Sequence, residues 1–232
     1  MNNDFTEELL TVVDSLSVAI ARDREEKRSL SYLTTPATGE KRQSPSSILS
    51  LEDVRREMEN CQRCPLHTER KNVVFGSGDP QASLVFVGEA PGADEDEQGL
   101  PFVGRAGQLL TKIIEAMGIR REDVYITNIL KCRPPNNRNP LPAEIQVCEP
   151  FLVRQLMAIS PKIICALGTF AVKTLLKKET PITVMRGTFH DYHGIPLMPT
   201  YHPAYLLRNP SAKRHVWEDV QQIMKRLKTR SE

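Results

Sequence analysis

The 232-residue sequence predicts an α/β fold. The expected form is a three-layer α/β/α sandwich around a central, mainly parallel four-stranded sheet, preceded by a helical or disordered N-terminal extension. Two observations carry this expectation. Short apolar runs of strand length alternate with longer amphipathic segments from residue 50 onward, the pattern of parallel strands joined by crossover helices. Ahead of them lies a segment of different character, one amphipathic stretch followed by a Ser/Thr/Pro/Gly-rich run.

Taken in order, residues 4–28 place Phe5, Leu9, Val12, Val13, Leu16, Ala19 and Ile20 at helical spacing. Residues 29–47 read as a linker. Residues 1–49 are therefore expected to be an amphipathic helix on a flexible tether, with residues 1–30 a candidate surface for a protein partner. The compact domain is expected over residues 50–232. Its first helix spans 50–59, with Leu51, Val54 and Met58 on one face. Leu84-Val85-Phe86-Val87 reads as a buried parallel strand before a Gly-rich turn. A helix over 105–117 aligns Leu109, Leu110, Ile113, Ile114 and Met117. Val124 to Thr127 is a second strand. The helix over 142–158 opens on Pro142, a residue suited to a first turn. Ile163 to Ala166 is a third strand, followed by a helix near 169–177. Leu197-Met198 marks a fourth strand, and a last helix runs from about 212 to 227.

The formal net charge of +2 conceals an asymmetry: residues 1–60 carry 8 Lys+Arg against 12 Asp+Glu (−4), and residues 61–232 carry 23 against 17 (+6). That modest excess favours a polyanionic partner for the second segment. No apolar run reaches membrane-spanning length, and the acidic, polar start does not resemble a signal peptide. A reducing cytoplasmic setting is expected, so the five cysteines point to metal and not to secreted disulfides.

Four of these cysteines form the pattern Cys61-x2-Cys64, Cys132, Cys148. One loop delivers the first two to a single centre, and the fold must bring in the others. Neither remote cysteine has a Cys-x2-Cys partner, so a zinc ribbon fits poorly. Four scattered thiolates suit a [4Fe–4S] cluster. Unrelated buried cysteines are the plainer alternative. Cys165 sits in the apolar run Ile163-Ile164-Cys165-Ala166-Leu167 and is assigned to a strand.

Three polar segments follow the strands and converge on the carboxyl edge of the sheet, where α/β folds bind ligands. They are Gly88-Glu89-Ala90-Pro91-Gly92 with its continuation through Asp94-Glu95-Asp96 to Pro101-Phe102-Val103-Gly104-Arg105-Ala106-Gly107; Thr127-Asn128 with Lys131-Cys132-Arg133-Pro134-Pro135; and Tyr201-His202-Pro203-Ala204-Tyr205-Leu206-Leu207-Arg208. With these motifs the chain resembles the family 4, iron–sulfur type uracil-DNA glycosylases, over about Cys61 to Arg226.

The resemblance implies an enzyme that flips uracil from DNA, single- or double-stranded, and hydrolyses its N-glycosidic bond. It implies Cys61, Cys64, Cys132 and Cys148 as ligands of a [4Fe–4S] cofactor. The implied base pocket contains Gly88, Glu89, Ala90, Phe102, Asn128 and His202. Asn128 would read the Watson–Crick edge of uracil, Phe102 would stack on the base, and His202 would donate to O2 as negative charge develops. Ala90 occupies the position where other branches of the superfamily carry a water-activating Asp, so Glu95 or Asp96 is expected to orient water or reject the thymine methyl. Leu206 and Leu207 are expected to supply a DNA wedge, with packing of the last helix as the alternative and one role possible for each leucine, and Arg208, Lys213 and Arg214 to hold phosphates. Lys131 and Arg133 are expected to face DNA. The implied setting is a monomer in the cytoplasm, associated with the nucleoid. A non-catalytic iron–sulfur protein that binds nucleic acid in replication or repair is the alternative; it would not need Phe102, Asn128 and His202 together.

Overall fold

Four short strands whose side chains alternate between two faces organise the chain. The computed structural model describes residues 50–229, so the helix and linker expected within residues 1–49 lie outside the described residues. The elements in chain order are α1 (Leu51–Met58), β1 (Ser77–Gly78), β2 (Leu84–Gly88), α2 (Ala93–Gln98), α3 (Arg105–Ala116), β3 (Tyr125–Asn128), α4 (Pro142–Ile159), β4 (Ile163–Leu167), α5 (Thr169–Leu176), α6 (Ile182–Met185), β5 (His190–Tyr192), β6 (Ile195–Thr200), α7 (Pro203–Arg208) and α8 (Lys213–Thr229).

The sheet has six strands in the order β1-β3-β2-β4-β6-β5. The four expected strands form its parallel centre, β3-β2-β4-β6. The expected count of four is corrected by two short antiparallel edges, β1 on β3 and β5 on β6. Strands of two and three residues are too brief to display alternation, so sequence periodicity does not mark them.

Alternation along each central strand explains the layers. Val85 and Val87 of β2 enter one cluster, with Leu152 and Leu156 of α4 and Val172 and Leu175 of α5. Leu84 and Phe86 enter the other, with Leu110 and Ile114 of α3 and Val216, Val220 and Ile223 of α8. Cys165 packs in this second cluster, fully buried. A smaller cluster joins Val54 and Met58 of α1 to Phe75 and Phe151.

Local chemistry sets the helix starts. Ser50 caps α1: its hydroxyl accepts from Asp53 N at 3.1 Å, and the Asp53 carboxylate accepts from Ser50 N at 3.0 Å. Pro142 occupies the first turn of α4, where Glu144 accepts from Leu141 N at 2.8 Å and pairs with Arg138. The strand order changes direction beside β2, because β3 lies on one flank and β4 on the other. The crevice beyond the strand ends at such a point is a preferred ligand site.

Candidate active site

Gly88 and Asn128 end neighbouring parallel strands in register. A pocket of about 450 Å³ opens there, lined by Glu89, Ala90, Phe102, Asn128, His202 and Arg208 among others. All three polar segments thus meet in one cavity.

Asn128 is buried, and its Oδ1 has no hydrogen-bond partner. Leaving such an acceptor dry costs roughly 1–3 kcal/mol, a cost a ligand donor removes. Gly88 makes room for it. A Cβ at residue 88 would stand 2.3 Å from Asn128 Oδ1 and 2.5 Å from Phe102 Cζ. Phe102 is nearly buried and takes a left-handed backbone conformation, φ 53°. For a bulky residue this is a strained state that its surroundings must impose. They do so from two sides. Arg121 donates to the carbonyls of Pro101 at 2.7 Å and Phe102 at 3.0 Å. Gly107 admits the Phe102 carbonyl, which would lie 1.9 Å from any Cβ there.

His202 caps α7, and its Nδ1 accepts from Ala204 N at 3.1 Å. Burial pushes the imidazole down to about 4, with the Arg208 charge adding to the effect. The ring is therefore neutral near pH 7, and with Nδ1 accepting, the proton resides on Nε2. Gly168, at φ +88°, permits the close approach; a Cβ there would meet His202 Cβ at 2.9 Å.

The acidic residues separate. Glu95 lines the pocket, but its two oxygens already accept from Gly92 N (3.1 Å), Val103 N (2.9 Å) and Gly104 N (3.0 Å). It ties the start of α2 to the loop after Phe102. Asp96 is buried outside the pocket lining, where its Oδ1 accepts from Lys71 N (3.0 Å) and Asn72 N (3.3 Å). It does not meet the other site residues, because one residue along α2 rotates the side chain by about 100° onto the next face. Glu89 also lines the pocket, half-buried, and burial raises its carboxyl.

The two leucines divide as well. Leu206 is buried in the α3/α8 cluster, which corrects its expected exposure to DNA, while Leu207 is 39% exposed. Arg208 lines the pocket mouth beside Tyr205. Lys131 is a further correction: expected against DNA, it is fully buried. Burial pushes its ammonium down to about 7, against the pull of the nearby Cys148 sulfur. Sequence reasoning missed Arg121 and Arg138. Arg121 sits in the charged stretch Arg120-Arg121-Glu122-Asp123, which reads as solvated surface, and Arg138 sits in an Asn/Pro-rich loop whose Pro134 and Asn137 also line the pocket.

Cys61, Cys64, Cys132 and Cys148 line a second, smaller cavity, together with Arg63, Arg70 and Lys131. Arg70 Nη1 donates to Cys132 Sγ at 3.3 Å. Burial raises the Cys64 and Cys132 thiols and pushes Cys148 up to about 11. Among the described residues, no group of three or more His, Cys, Asp or Glu closes on a point suited to a single metal ion. Four cysteines and the cations Arg63 and Arg70 thus share the wall of one cavity.

A family model described as Uracil DNA glycosylase superfamily matches residues 75–221, so the chain belongs to that superfamily. Curated relatives refine the placement. A type-4 uracil-DNA glycosylase of Thermotoga maritima is 49% identical over 175 residues, 74% of this chain and 91% of the relative. One from Archaeoglobus fulgidus is 45% identical over 182 residues, 75% and 92% of the two chains. A type-5 uracil-DNA glycosylase of Pyrobaculum aerophilum is 30% identical over 200 residues, 72% and 87%. Within the superfamily, the chain groups with the type-4 members.

Proposed function

We propose that the chain is a uracil-DNA glycosylase, a hydrolase of N-glycosyl bonds that starts base excision repair. The observation that carries this reading is the buried, unpartnered Oδ1 of Asn128, set beside a strained Phe102 and a neutral His202 in one pocket.

A uracil flipped from DNA brings the missing donor. Its N3–H bonds to Asn128 Oδ1, whereas cytosine has no N3–H and would leave the acceptor dry. Phe102 stacks on the base. As the C1′–N1 bond breaks, the bonding pair departs with uracil and charge gathers on O2. His202 Nε2–H donates there, already desolvated and oriented by the Ala204 amide. Water adds to C1′ and its proton passes to solvent. Ala90 takes no part in that transfer, and the oxygens of Glu95 are engaged by main-chain amides. Stabilisation of the leaving uracil is therefore the main contribution of the pocket. Arg208 meets phosphate, and Leu207 fills the space left by the base.

Cys61, Cys64, Cys132 and Cys148 would hold a [4Fe–4S] cluster. When bound, it supplies a cross-link between the loop after α1 and the segments around Cys132 and Cys148; base hydrolysis itself is redox-neutral. The test is single-turnover incubation with a uracil-containing oligonucleotide, followed by strand scission at abasic sites. Scission at the uracil position, absent with a thymine control, is the expected result; no scission by an iron-replete preparation overturns the reading.

A further inference from the structure

A lysine beside a cysteine ligand of a DNA enzyme is expected on the surface, yet Lys131 makes its contacts inward. Its Nζ donates at 2.6 Å to the main-chain carbonyl of Asn128, at 2.6 Å to Thr127 Oγ1 and at 2.6 Å to Gln155 Oε1. Three acceptors match the three N–H bonds of an ammonium. They are fixed in turn: Thr127 Oγ1 donates to the Phe75 carbonyl at 3.0 Å, and Gln155 Nε2 to the same carbonyl at 2.9 Å. The Lys131 carbonyl accepts from Val74 N at 2.8 Å. Beyond Asn128, Ile129 N and Leu130 N donate to the carbonyls of Gly88 and Glu89 at 3.0 Å each. The peptide of Asn128 is thereby held on both sides, while its side-chain Oδ1 stays without a protein partner.

We propose that Lys131 is a positioning residue for uracil recognition, holding the Asn128 carbonyl so that the carboxamide keeps its aim into the pocket. Because Cys132 follows directly, Lys131 joins the cysteine cavity to the base pocket through one peptide unit. The donor to this buried carbonyl is lost outright when the side chain is replaced by an apolar group, and the carbonyl is then left without that partner. The inference rests on the reading of Asn128 as the uracil-recognising residue.

The test is a double-mutant cycle of Lys131→Met with Asn128→Ala, followed by single-turnover excision over long incubations, with iron content and DNA affinity measured on each protein. Lys131→Met is expected to keep iron and DNA affinity and to lose excision by about tenfold or more, within the range of direct couplings between contacting residues. In the Asn128→Ala background the same change is expected to cost less than about twofold. Lys131→Gln, which keeps a donor, should recover part of the lost rate, and it carries the same comparison if Lys131→Met fails to fold or lacks iron. Equal fold losses in both backgrounds, or an unchanged rate in Lys131→Met, overturn the positioning role. Undiminished excision in Asn128→Ala alone would instead remove the reading of Asn128 on which it rests.

Discussion

The imidazole of His202 and the ring of Phe102 lie 5.5 Å apart between centroids, their planes inclined by 32°. One aromatic surface and one neutral donor therefore address the same volume. Under the proposed mechanism, His202→Ala should raise the excision barrier by roughly 2–4 kcal/mol, the scale for removing one donor from a developing oxyanion. The loss belongs in the single-turnover rate; DNA affinity measured alongside should hold. An unchanged single-turnover rate in His202→Ala would show that donation to the leaving uracil is not the main contribution of the pocket.

The low value of His202 also predicts a pH profile. Held near 4 instead of 6.5, the ring stays neutral as pH falls through 6.5, so excision should remain level there and decline only on approach to about 4. Glu89→Gln should be run in parallel, because burial raises that carboxyl in the same pocket. Stability has a definite sign: the unfolded chain takes up the proton first, so the contribution of this group is complete above 6.5 and is lost as pH falls from 6.5 toward 4. Thermal unfolding of wild type and His202→Gln across that window would read the difference.

Asn128→Ala should abolish most excision and yet leave thermal stability unchanged or slightly raised. The substitution removes a buried acceptor that the free protein leaves unsatisfied, an effect of about 1 kcal/mol in favour of folding, set against a small cavity. A clear drop in melting temperature would mean the carboxamide is bonded within the free protein.

Gly88→Ala should close the pocket. Its methyl would meet the Asn128 carboxamide and the tip of the Phe102 ring, and neither can withdraw freely. Excision should fall while iron content and the far-ultraviolet spectrum stay as in wild type. Full activity in this variant would show that the two side chains do not converge as described.

Iron should follow cavity membership. Cys61→Ser and Cys148→Ser are expected to lose iron, and Cys165→Ser to retain it, since Cys165 lies in β4 on the opposite face from the cysteine cavity. Visible absorbance and iron assay decide the matter, and equal loss in all three would sink the assignment.

The paired leucines offer a separation of roles. Leu206→Ala should destabilise the protein by roughly 2–5 kcal/mol, the usual cost of emptying a buried site. Leu207→Ala should leave melting unchanged and weaken excision from duplex more than from single strands, because only a duplex leaves a gap to fill. Similar effects from both would contradict the division between core and wedge.

Much of this is legible in the amino-acid sequence. The central strands announced themselves because each is buried on both faces and so reads as an unbroken apolar run, as in Leu84-Val85-Phe86-Val87. The long helices carried amphipathic spacing. The convergence of Gly88, Phe102, Asn128 and His202 followed from placing polar segments after strands. What stayed hidden depends on rotation and reach. Nothing in Asp94-Glu95-Asp96 says which carboxylate a short helix turns toward the cavity. Nothing in Leu206-Leu207 says which leucine the last helix covers. Lys131 reads as a residue facing DNA because its partners, Thr127 and Gln155, are unremarkable in sequence and meet it only through the packing of β3 and α4.

The turn at Phe102 has a consequence for where discrimination arises. Arg121 and Gly107 hold that backbone in place without a base present. A receptor already shaped for its guest has little left to organise on arrival, so its kinetics pass the burden to the polymer that must release the nucleotide. Lesions in loosely paired or unpaired strands should then be processed faster than those in firmly stacked ones, through differences in helix breathing alone.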